Sequence, residues 1–137
     1  DVSPDTRQKV PLAINIAKMF GAEIHILTAS TMDDSGILNK LRAYGEQVAE
    51  FLAENKIKFS LASKIGDNIT DISIDYAKEN NADLTVIMTE QSKSISNLFL
   101  GSYAYQMINK SPIPVLSIKP KEFQIPGSFI TFGGTGV

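Results

Sequence analysis

Segments with helical apolar spacing alternate with short β-branched runs along almost the whole chain. That alternation constrains the fold more than any other feature, because it is the pattern of βαβ units and a parallel sheet. Ser3-Pro4-Asp5 reads as a helix cap followed by proline in the first turn, opening a helix that runs to about Phe20. Val10, Ile14 and Ala17, with Leu12 and Ile16, are its expected inward residues. Pro11 predicts a kink or a late start, and Gly21 a stop. Residues 23–29 (EIHILTA) read as a strand, and residues 36–55 as a helix striped by Ile37, Leu38, Leu41, Tyr44, Val48, Phe51 and Leu52. Residues 57–63 form the next expected strand. Residues 68–80 form a helix packed through Ile69, Ile72, Ile74 and Tyr76. Residues 83–89 (DLTVIMT) read as a buried strand, 102–109 as a helix and 114–118 (PVLSI) as the closing strand.

Two features depart from a simple α/β domain. Such a domain normally opens on a strand, whereas this sequence opens at a helix cap, with Asp1-Val2 resembling the carboxyl end of a strand. At the other end, residues 121–137 run past the last strand as an extension. Within it Ser128–Phe132 (SFITF) has strand propensity, ahead of a glycine-rich stretch.

Composition narrows the function. Of the 137 residues 43% are hydrophobic and 20% charged, as in ordinary globular domains. The formal charge of −2 is spread without a basic stripe, which argues against nucleic acid as a partner. There is no cysteine, which excludes disulfides, thiolate metal sites and a cysteine nucleophile, and fits a reducing cytoplasm. No apolar run is long enough to span a bilayer, so no membrane role is expected. A catalytic triad would depend on the single histidine, His25.

Several pieces, in order, resemble the universal stress protein family. They are the opening Asp1–Val10, then Gly21–Leu27, then Ala82–Met88, then Leu98-Phe99-Leu100-Gly101-Ser102 with Tyr103-Ala104, and finally Ser111–Ile118. The Gly-Ser step followed by a proline-flanked Val-Leu strand is the most specific of them. The resemblance covers residues 1–120. It implies an open parallel sheet with helices on both faces and strand order 3-2-1-4-5, whose first, central strand is missing from this sequence. The opening also resembles the second half of tandem proteins of this family.

Nucleotide-binding members carry Gly-x2-Gly-x9-Gly-Ser/Thr after the fourth strand. Glycines there let backbone N–H groups close on phosphate, and the next helix adds its positive end. Counting back from Gly101 and Ser102 puts the first two glycine positions on Met88 and Gln91, both substituted. Such a loop is degenerate, although Ser92, Lys93, Ser94, Ser96 and Asn97 keep it polar. A phosphate contact and a solvated loop explain those residues equally well. By the same resemblance Asp1 and Ala29 fall near adenine or ribose, and the backbone of Tyr103 near phosphate. An exposed chain position and a plain strand end are the competing readings of Asp1 and Ala29.

Remaining candidates read structurally. His25 lies in an apolar strand with no evident nucleophile, so it is expected to be a strand residue rather than a base. Asp33-Asp34 suits a turn or a helix cap, and Asp67, Asp71 and Asp75 a solvated helix face. Met88 and Met107 are expected core fillers. The expectation is a non-catalytic stress-response module that pairs, as a homodimer or tandem domain, through its last strand and has no cofactor. The alternative is an ATP- or AMP-binding switch. An enzyme, such as a weak phosphohydrolase, finds no support in a Walker lysine, a ligand cluster or a triad.

Overall fold

The computed structural model describes residues 9–88 and 102–118. Their order is α1 (Lys9–Phe20), β1 (Ile24–Ser30), α2 (Ser35–Glu54), β2 (Phe59–Ile65), α3 (Ile69–Glu79), β3 (Thr85–Met88), α4 (Ser102–Lys110) and β4 (Val115–Ile118). The alternation therefore holds throughout. Helix α1 is described from Lys9 to Phe20 with Pro11 within it, and the turn before Lys9 lies outside the described residues. The expected cap at Ser3–Asp5 and the extension at 121–137 lie outside the described residues.

Strands β1 and β2 pair in parallel from Ile24 opposite Phe59 to Ser30 opposite Ile65. Strands β3 and β4 pair in parallel from Thr85 opposite Val115 to Met88 opposite Ile118. Among the described residues these are two separate two-stranded sheets, with no ladder between β1 and β3. Helices tie the halves together. Val10, Ile14 and Ala17 of α1 form a core with Ile26 of β1, Leu52 of α2 and Ile57, while α1 also packs on β3. Ile87 of β3 packs with Ala104 and Met107 of α4, joined by Ile74, Tyr103 and Val115, and α3 packs on both β1 and α4. Thr28 of β1 lies against Gly45 of α2, whereas its near neighbour His25 bonds Tyr76 of α3. Alternate strand residues face opposite sides, so α2 and α3 cover opposite faces.

Three helices end on one device. Gly21, Lys56 and Asn81 have φ of 62°, 58° and 51°, and the next N–H bonds back across the last turn. Those bonds are Ala22 to Ala17 O, Ile57 to Leu52 O and Ala82 to Ala77 O, each 2.9 Å. This is the Schellman pattern, which favours glycine at the left-handed position. Its use at Lys56 explains why β2 starts at Phe59, not at Ile57 as expected: Ile57 is consumed by the helix stop and buries against Leu52. Lys56→Gly relieves the left-handed strain and is expected to stabilise the fold by about 0.5–1 kcal/mol, read as a higher urea midpoint with an unchanged slope.

Other expectations shift for equally local reasons. Phe51 is 43% exposed while Leu52 is fully buried, so the α2 stripe is rotated toward Gly45 and Leu52. Gly45 lets α2 approach the sheet: a Cβ there would lie 2.8 Å from Leu61 and 3.3 Å from Thr28. The fully buried residues of α3 are Thr70, Ser73 and Ala77, whose small side chains let α3 lie close to α4, while Ile69, Ile72, Ile74 and Tyr76 are half-buried and Ile74 packs into the α4 cluster as expected. On α1, Leu12 is exposed at 38% rather than inward.

Candidate functional site

The carboxyl ends of parallel strands are where open α/β sheets place ligands, and the residues at that edge follow from the topology. Ala29 is the next-to-last residue of β1, half-buried and paired with Lys64. After it, Ser30 closes the strand: its hydroxyl donates to Met32 O at 2.8 Å and accepts the Met32 N–H at 3.0 Å. Asp34 then caps α2 by accepting the Ile37 N–H at 2.9 Å, which settles the Asp33-Asp34 pair as a cap. Met88 ends β3, is 8% exposed, and has no left-handed backbone. Its neighbour Ile87 faces α4, so Met88 points to the side that α1 covers. Its side chain is thus part of the interior at the place where a phosphate loop would begin.

Ser102 opens α4 and is exposed, and its first-turn N–H groups give that end of the helix a positive character. Tyr103 points the other way, into the α3–α4 seam. Ser73 Oγ donates to Ile69 O at 2.8 Å and so accepts from Tyr103 Oη at 3.0 Å. Thr70 adds a bond to Gln106 Oε1 at 3.1 Å. Burial pushes the Tyr103 phenol up, and the Ser73 bond offsets part of that rise. These bonds fix the direction from which α4 presents its first turn. Of the expected contact residues, Ala29, Met88, Ser102 and Tyr103 fall at this edge, while Asp1, Gln91 and Gly101 lie outside the described residues.

A second polar constellation was not foreseen. His25 Nε2 donates to Glu23 Oε1 at 2.7 Å, Tyr76 Oη bonds His25 Nδ1 at 2.9 Å, and Lys58 Nζ reaches Glu23 Oε2 at 3.2 Å. Glu23 and His25 share a strand face at two-residue spacing, which the sequence displays. Tyr76, 51 residues further on, it does not. The network has no nucleophile, and it joins α3 to the amino end of β1, so its evident work is structural. The bond from His25, then the bond and charge of Lys58, hold the Glu23 carboxyl below its ordinary value. With a folded value below the unfolded one, this contribution is complete above the usual carboxylate pKa of about 4.3 and disappears as pH falls through the lowered value. Glu23→Gln is therefore expected to flatten the acid limb of the stability curve, as measured by urea midpoints at descending pH.

Two shallow clefts occur among the described residues, the first reaching the carboxyl end of β2 at Lys64 and Ile65. That one, about 170 Å³, is lined by Lys64, Ile65, Ile72, Asp75, Tyr76 and Glu79. The other lies where α1 and α2 end and includes Lys18, Lys56 and Lys58, cations that suit two helix carboxyl ends. Asp67, Asp71 and Asp75 are all exposed, and no cluster of three metal-ligating side chains occurs among the described residues. No described helix is long and apolar enough to cross a membrane.

Comparison with known proteins agrees with the fold. A universal stress protein of Mycolicibacterium smegmatis is 26% identical over 122 residues, covering 88% of this chain and 93% of its own length. The structure of a universal stress protein from Archaeoglobus fulgidus superposes with a TM-score of 0.77 at 17% identity, over 85% of this chain and 91% of that one. A universal stress protein from the same organism, in complex with dAMP, gives a TM-score of 0.71 at 16% identity over 85% and 90%. The profile of the Universal stress protein family matches residues 1–119, and with the alternating parallel architecture this establishes that the chain belongs to the universal stress protein family.

Proposed function

We propose that this chain is a non-catalytic stress-response module of the cytoplasm that works by pairing, with a second copy or a tandem domain, through the outer edge of β4. The observation that carries the loss of nucleotide binding is Met88. Nucleotide-binding members place a glycine at this position, whereas here the side chain is 8% exposed and serves the interior. Pairing is supported by β4 itself, whose one described ladder is with β3 and whose four residues are each only half-buried. A sheet edge with partly covered apolar side chains invites another strand.

The same reading includes a strand seated between β1 and β3, giving the family order 3-2-1-4-5. Its support is physical. Inner edges without a ladder carry N–H and C=O groups that are costly to bury unpaired, and α1 and α3 bridge the two half-sheets. Residues 1–120 form the domain in this account, and 121–137 an extension to it.

A nucleotide-binding switch is the second reading. Ser102 stands exposed at the start of α4, and the relative solved with dAMP shows that the fold accepts an adenine nucleotide in that protein. Here AMP or ATP would lie along Asp1, Ala29, Met88, Gln91, Gly101, Ser102 and Tyr103. Calorimetric titration with AMP and with magnesium ATP at millimolar concentration separates the two. No heat of binding is expected. Saturable binding that disappears in Gly101→Val would replace the first reading with the second.

A further inference from the structure

The four methionines divide into two classes. Met88 closes β3 at 8% exposure, and Met107 of α4 is completely buried. Met19 and Met32 are 75% and 56% exposed. A methionine held in water forgoes the transfer energy that makes this side chain useful in a core. What it keeps is access to oxidants. The chain has no cysteine and no tryptophan, so thioether sulfur is its readiest site of two-electron oxidation. The two surface positions reach solvent in different ways. Met19 is in the last turn of α1, about half a turn around the helix from its buried residues Val10, Ile14 and Ala17. Met32 follows β1, where Ser30 Oγ donates to the Met32 carbonyl at 2.8 Å and accepts the Met32 N–H at 3.0 Å. Both backbone groups are thereby pinned while the residue stays exposed. Neither Met19 nor Met32 belongs to a core cluster among the described residues.

We infer that Met19 and Met32 are sites of reversible oxidation by peroxides, and that the fold accepts the modification at both. The thioether sulfur attacks one oxygen of hydrogen peroxide. An S–O bond forms as the O–O bond breaks, sulfur gives up two electrons, and the second oxygen leaves as water with both protons. The product is methionine sulfoxide. Sulfoxide reductases return it to methionine, one enzyme for each epimer at sulfur, with two thiols going to a disulfide and the oxygen to water. Exposure decides where the change is tolerated. A sulfoxide oxygen is solvated at the surface but left without a donor if formed in an apolar interior. Met107 packs with Ile87 and Ala104, so an oxygen added there would be forced among apolar groups. The geometry separates two sulfurs that can cycle through oxidation in the folded state from two that react once the chain opens.

The test uses the full chain, treated with hydrogen peroxide and read by peptide mass spectrometry, first folded and then in urea. In the folded protein Met19 and Met32 are expected to oxidise at least about tenfold faster than Met88 and Met107. In urea all four should react at similar rates. The protein oxidised at both surface positions should keep the urea midpoint of untreated protein. Sulfoxide reductases of both epimer classes, supplied with a dithiol, should return its mass without added urea. The double variant Met19→Leu, Met32→Leu should hold its mass under the peroxide treatment that oxidises the folded parent chain. Reaction of Met88 or Met107 in the folded state at the rate of the surface pair would overturn the assignment, as would protection of Met19 or Met32. A lowered midpoint after oxidation of the surface pair, or a sulfoxide reducible only in urea, would overturn the claim that the fold accepts the change.

Discussion

Leu52→Ala is expected to destabilise the protein by about 3–4 kcal/mol, from the range measured for large-to-small core substitutions. Leu52 is completely buried, in a cluster where α1, α2 and β1 meet. It contributes in two ways. Its side chain fills the space among Val10, Ile14, Ala17 and Ile26, which come from elements that cannot close together without it. Its carbonyl also receives the Ile57 N–H that ends α2, and the buried Ile57 side chain packs beside it. Alanine keeps the backbone bond but leaves a cavity whose walls belong to separate helices. Against a typical domain stability of about 5–15 kcal/mol, that is a large share. The adjacent Phe51→Ala provides the control. At 43% exposure it should cost well under half as much, and equal losses at the two positions would show that the helix is rotated from the register described.

Met88→Gly is expected to cost a similar amount, about 3–4 kcal/mol, combining a buried methionine cavity with glycine in a strand. The substitution is informative because it would restore the family's first loop glycine. If the position were still a phosphate cradle, glycine would be tolerated there. The structure gives the opposite reason to expect harm: Met88 pairs with Ile118, and its side chain is buried on the face that α1 covers. A fall in urea midpoint with no gain of AMP binding would fit a residue that has been taken over by the core. Neutral stability would undermine that account.

Much of this architecture is readable in the sequence because its determinants are local. Asp34 and Asn68 at helix starts, Gly21 at a helix stop and the β-branched runs of β1 and β3 each act within a few residues. Ser102 at the head of α4 and the buried Met88 and Met107 follow from pattern as well. What pattern does not convey is distance between elements. The small-residue face of α3 makes sense only once Tyr103 and Gln106 of α4 are seen bonded to Ser73 and Thr70. Lys56 as a left-handed helix stop is hidden, since nothing in lysine announces that conformation, and it displaced the start of β2 by two residues. Tyr76 could be assigned to a helix face but not to His25. Of the candidate site, the sequence places Ala29, Met88, Ser102 and Tyr103 on the correct elements. The inward course of Tyr103 comes from tertiary packing.

Pairing is the claim from which the proposed role follows, and sedimentation velocity of the 137-residue chain at micromolar concentration tests it most directly. A boundary at twice the chain mass is predicted, stable across dilution through that range. A single boundary at the mass of one chain would contradict it.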